Sequence, residues 1–122
     1  MLDNNKCILA YNFSEFELSI LKVGNIKVIE VSAEMLEMTI KDILGGLRFK
    51  TFNPNPIKEK TLLFNNFTDE ELHQKIKQIR QKVKGGLLAV VTPTTVDWKF
   101  NYLIQHLIEE KEWFLNQQKG RK

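Results

Sequence analysis

Apolar residues along this chain fall into two rhythms that take turns. Short unbroken runs, C-I-L-A-Y-N-F from Cys7, T-L-L-F-N from Thr61 and L-L-A-V-V from Leu87, are too short for helices and read as strands buried on both faces. A fourth run, I-K-V-I-E-V-S from Ile26, carries Lys27 and Glu30 and reads as a less buried strand. Between the runs the spacing turns helical. Ser14 opens a helix that Gly24 and Asn25 stop, and Leu36, Ile40, Ile43 and Leu44 mark a second, with Ser32 as its cap and Gly45 and Gly46 as its end. Leu72, Ile76, Ile79 and Val83 mark a third that stops at Gly85 and Gly86. Phe100, Leu103, Leu107 and Phe114 mark the last.

From Leu47 to Phe52 the residues partly alternate, as expected of a short edge strand or an extended strap. Asn53 to Pro56 (N-P-N-P) is neither helix nor central strand, because each proline lacks a donor and restrains the residue before it.

The second half echoes the first. Thr61 to Leu72 aligns with Cys7 to Leu18 at a constant offset (61 − 7 = 54), placing Asn66 on Asn12, Phe67 on Phe13, Thr68 on Ser14 and Glu71 on Glu17. A second offset (92 − 32 = 60) places Thr92 on Ser32, Val96 on Leu36, Phe100 on Ile40 and Leu103 on Ile43. The chain therefore reads as one α/β domain over 1–122, made of two tandem β-α-β-α repeats, about 7–46 and 60–118, joined by a linker over 47–59. Strands alternating with helices imply a mostly parallel four-stranded sheet with helices on both faces. With the two halves related by a two-fold axis along the strands, the order is 2-1-3-4. A switch point then lies between the central strands, and their carboxyl ends open a crevice. Its rim would be Asn12, Ser14, Asn66 and Thr68, with Ser32, Thr92 and Thr94 nearby.

Composition adds modest constraints. A chain of 122 residues with 43% hydrophobic content builds a core without disulfides, and the lone Cys7 sits inside a strand as a small hydrophobe. The N-terminus lacks the pattern of a signal peptide, and no apolar stretch approaches the length of a membrane span, so a cytoplasmic protein without membrane contact is expected. The net charge of +3 is mild, and Lys119, Arg121 and Lys122 supply part of it at the terminus.

Each motif has a structural and a chemical reading. Ser14 with Glu17, and Thr68 with Glu71, have the spacing of capping boxes. The same hydroxyls and amides, facing one crevice from two helix starts, are also candidates to hold a small anion. Thr92, Thr94 and Asp97 follow the Leu87 strand. Thr94 and Asp97 have capping spacing, and on an anionic substrate Asp97 is the candidate acid or base of an enzymatic alternative. Trp98 reads as a partly buried anchor. His73, Lys77, Arg80 and Lys84 form a basic stripe, which is the nucleic-acid alternative, although an ordinary helix with an acidic start and a basic end gives the same pattern. Glu109, Glu110 and Glu112 read as a solvated face. Phosphate-loop, dinucleotide and nucleophile-elbow motifs are absent, and Cys7, His73 and His106 make no metal cluster, so neither cofactor nor metal is expected.

The segment V-V-T-P-T from Val90 to Thr94, followed by Trp98, Leu103 and Glu109/Glu110, resembles an uncharacterised bacterial family, a domain of unknown function common in anaerobic Firmicutes. Its pattern is a strand ending in phenylalanine before a helix, then V-x-T-P-T-N-x-x-W and a terminal helix of L-x-x-E-L-x-x-E character. Leu62 to Glu110 follow that outline, with Thr95 in place of asparagine and Asn66 in place of glycine. The resemblance implies fold and bacterial origin and transfers no catalytic residue. The sequence thus leads to a small binding or regulatory module. Its Leu87–Val91 strand is strongly apolar yet falls at a sheet edge, so it calls for cover from the Leu47–Phe52 segment or from a second copy in a homodimer.

Overall fold

The computed structural model describes residues 6–119, without the side chains of Phe114 and of residues 116–119; Lys119 beyond its backbone, Arg121 and Lys122 therefore lie outside the described residues. Four strands, β1 (Cys7–Tyr11), β2 (Lys27–Val31), β3 (Thr61–Asn65) and β4 (Leu87–Val90), form one open sheet in the order β2-β1-β3-β4. Four α-helices, α1 (Glu15–Leu21), α2 (Ile40–Leu44), α3 (Asp69–Arg80) and α4 (Phe100–Lys119), cover it.

The sheet is mixed, which corrects the mostly parallel arrangement expected above. β1 pairs with β2 and β3 with β4 in parallel, but β1 and β3 are antiparallel, with Cys7 opposite Asn65, Leu9 opposite Leu63 and Tyr11 opposite Thr61. The reason lies in how the two layers are shared. Ile8, Ala10, Leu62 and Phe64 point to one face, where they pack with Leu18 and Leu21 of α1 and Ile79 of α3. Cys7, Leu9, Tyr11 and Leu63 point to the other, against Ile40 and Ile43 of α2 and Phe100, Leu103 and Ile104 of α4. An axis along the strands would send α1 and α3 to opposite faces. An axis normal to the sheet, passing between Leu9 and Leu63, keeps them together and must reverse the second pair of strands.

The connections differ from their sequence outline in one further respect. The helix expected to start at Ser32 is instead a short 3-10 turn, Ala33–Met35, followed by the five-residue α2, and Ser32 makes no side-chain cap. Thr39 caps α2 by accepting the Asp42 N–H at 3.2 Å. What breaks the longer helix is a crossing with the second half. Ile40 N–H donates to the Trp98 carbonyl and Phe100 N–H to the Met38 carbonyl, both at 2.9 Å, so Met38 to Ile40 run antiparallel beside Trp98 to Phe100, with Thr39 opposite Lys99. The start of α4 is thereby capped by backbone carbonyls of the first half, with Asn101 N–H also bound to Leu36 O at 2.8 Å.

Residues 47–59 form an extended strap. Thr51 ties it to the Glu34 carbonyl through its N–H at 2.6 Å and its hydroxyl at 2.7 Å. The Tyr11 hydroxyl donates to Ile57 O at 2.5 Å. Arg48 reaches the Glu30 carbonyl on the β2 side. The strap therefore runs beside β2 and α2, away from β4.

Candidate functional site

The antiparallel centre of the sheet takes the expected crevice apart. Because Tyr11 lies opposite Thr61 and Cys7 opposite Asn65, Asn12 and Ser14 follow one end of the sheet while Asn66 and Thr68 follow the other. Each pair instead completes a local device. Asn12 and Asn66 hold φ of 69° and 66°, the left-handed turn that asparagine tolerates better than most residues, and the Asn12 amide donates to Lys58 O at 2.9 Å. Ser14 and Thr68 both form full capping boxes with Glu17 and Glu71.

Each box is locked by a lysine from the opposite half. Lys60 pairs with Glu17 and Lys6 with Glu71, and the same ammonium groups stand 5.8 Å from the Phe13 ring and 5.7 Å from the Phe67 ring. The Lys60 ammonium, followed by the Ser14 backbone N–H, holds the Glu17 carboxyl below the usual carboxylate range; Lys6 and the Thr68 N–H do the same for Glu71.

Of the remaining sequence candidates, Thr92 and Thr94 leave β4 at the end of the sheet where Asn66 and Thr68 leave the parallel β3, away from Asn12 and Ser14. Thr92 and Thr95 cap one another, Thr95 N–H donating to Thr92 Oγ1 at 3.1 Å and Thr92 N–H to Thr95 Oγ1 at 2.9 Å. Thr94 makes no cap, so the expected Thr94 and Asp97 pair is replaced by Thr92 and Thr95, and Thr94 and Asp97 are exposed. Trp98 is half-buried, edge-on to Tyr102 and His106 with ring centroids 4.9 and 5.2 Å away. In the basic stripe, His73, Lys77 and Lys84 are exposed, but Arg80 is turned inward, donating to the carbonyl of Gly85 at 2.6 Å and stapling the end of its own helix. Cys7 is buried, and burial pushes its thiol up. Among the described residues no group of three or more His, Cys, Asp or Glu side chains is placed to hold a metal.

Two further places stand out, the first of them the edge strand that the apolar run from Leu87 to Val91 already pointed to. One is the outer edge of β4. Leu87 and Val91 give their N–H groups to Lys60 and Phe64 of the β3 side, so by strand alternation the N–H and C=O groups of Leu88 and Val90 face outward. A groove of about 620 Å³ runs beside that edge, lined by Leu87, Leu88, Leu107, Lys111 and Trp113 among others. Trp113 is 63% exposed. The opposite edge is treated differently, since β2 carries Lys27 and Glu30 and receives Arg48 on its Glu30 carbonyl. Charge and cover are the usual protections of an edge; β4 carries no charged residue, and among the described residues no strand or strap pairs with its outer side.

The other place is Lys75. This α3 residue is only 6% exposed, and its ammonium donates to the Val23 carbonyl at 2.7 Å and to Gln78 Oε1 at 3.1 Å. Both acceptors are neutral, and burial lowers the Lys75 pKa. The 54-residue offset holds the signal that would have found it, because it sets Lys75 on Leu21, a fully buried leucine of α1.

No helix among the described residues is long and apolar enough to cross a membrane. Neither a curated protein nor a solved structure matches the chain. Residues 60–114, from the residue before β3 into α4, match the family model of a domain of unknown function, DUF3783, which covers the Leu62 to Glu110 stretch on which the sequence resemblance rests.

Proposed function

We propose that this protein is an interaction module that pairs with a second copy of itself along β4. The observation that carries the reading is the unprotected edge, where Leu88 and Val90 present free-facing backbone donors and acceptors beside an apolar groove. A four-residue strand alone is a small contact, and specific interfaces bury about 800 Å² on each partner. The additional surface comes from α4. At 20 residues it is ~30 Å long, roughly twice the length of the strands it covers, and its later turns expose Leu115 and, in the groove beside the edge, Trp113. Glu110 and Lys111 on the same groove supply both signs of charge, as a self-complementary two-fold contact requires.

Sedimentation equilibrium of the full chain tests this directly. A mass near twice the 14.3 kDa of one chain is expected, falling to one chain when Val90 is replaced by Lys, which places a charge on the joined edge. A single-chain mass for the unaltered protein overturns the reading, and so does a dimer indifferent to Val90→Lys.

A further inference from the structure

We propose that the cleft between α3 and the turn after α1 binds a small oxyanion, with the Lys75 ammonium as its principal contact. The proposal concerns a different surface from the β4 edge and does not depend on it.

The two halves supply an internal control. At the position equivalent to Lys75 the first half carries Leu21, which is 0% exposed and packs with Leu18 and Ile79 in the layer between the helices and the sheet. Leucine therefore satisfies the packing at that place. A lysine there must bring a charge out of water, which is costly when no opposite charge meets it. Among the described residues no carboxylate lies within ion-pair distance of Lys75. The two oxygens it does meet, Val23 O and Gln78 Oε1, use two of its three N–H groups.

The third donor belongs to a residue that lines a cleft of about 230 Å³, together with Lys6, Phe67, Glu71, Gln74 and Gln78. The charges around it do not cancel. Glu71, the carboxylate of the group, is committed to Lys6 and to the Thr68 N–H, which leaves the Lys75 charge in excess. The amides of Gln74 and Gln78 add neutral donors, and Phe67 and Val23 provide apolar walls. Excess positive charge at the floor, amide donors on the rim and limited room describe a site for a small molecule bearing one phosphate or carboxylate. The common chemistry is the oxyanion, and the two sources are separable by experiment.

The test is a titration of the isotopically labelled full chain with inorganic phosphate and, separately, with acetate, at constant ionic strength, following the Lys75 Nζ and the Gly24 and Gln78 amide resonances. Saturable shifts of all three are expected with at least one anion. The tighter of the two identifies the source as phosphorylated or carboxylic. Lys75→Leu, which installs the residue of the first half, should keep the folded spectrum and weaken binding at least tenfold. Should that variant fail to fold, the Nζ resonance of the unaltered protein still decides the matter. Shifts that never saturate, or that are the same in Lys75→Leu, overturn the proposal and leave Lys75 as a tie between α3 and the Val23 turn.

Discussion

At Phe13 and Phe67 the two halves of this protein build the same arrangement: a strand ends in a left-handed asparagine, a hydroxyl caps a helix, and a lysine from across the sheet closes on the capping glutamate. Two turns of helix further on they part company. The first half buries Leu21, the second buries Lys75; the first half ends in the short α2 and a strap, the second in the 20-residue α4. Features present in both halves are those the packing needs. Features present in one half alone are free of that duty, and the open β4 edge with its groove and the buried Lys75 both belong to the second half.

The comparison can be broken where the halves meet. Leu9 and Leu63 face one another on the axis, both 0% exposed, so Leu9→Ala and Leu63→Ala should each cost about 2–5 kcal/mol in chemical denaturation, and nearly the same amount. Costs differing several-fold would mean that the two halves do not share the core equally. A smaller effect sharpens the match at the caps. Ser14→Ala and Thr68→Ala should each lose about 1 kcal/mol, the usual value of a helix N-cap, with matching melting temperatures.

The smallest effect is in pH. Glu17 and Glu71 have folded pKa values below their unfolded ones, so the stability they contribute is present above the unfolded carboxylate range and disappears as pH falls through the folded values. Acid titration of stability should therefore be flatter in Glu17→Gln and in Glu71→Gln than in the unaltered chain. The larger flattening should come from Glu17, whose side chain is the less exposed of the two.

Much of the fold was legible in the sequence because it rests on local signals. Glycines and asparagines at helix ends, the two capping boxes and the unbroken apolar runs each report on a few neighbouring residues, and they gave the strands and the principal helices. The order 2-1-3-4 came from assuming an axis along the strands; it holds because an axis normal to the sheet also sets β1 and β3 at the centre. The direction of the second half was not legible. Strands buried on both faces read identically in either direction, and only the sharing of α1 and α3 on one face selects the antiparallel centre. The candidate crevice failed with it, since it required the ends of β1 and β3 to coincide. The Thr94 and Asp97 pair was misread for a different reason. Thr92 and Thr95 satisfy the same capping geometry two residues earlier, and nothing in spacing alone ranks the two.

The paired hydrogen bonds between Met38 and Phe100, and between Ile40 and Trp98, carry a consequence for how the molecule comes apart. Each of these helix starts relies on a carbonyl from the other half, and each layer of the core is made from both. Melting either half strips the other of a cap and of half its cover, so the opening that frees the amides of β1 is also the one that frees those of β3. Hydrogen exchange at Leu9 and Leu63 should accordingly report a single event, the unfolding of the whole sheet.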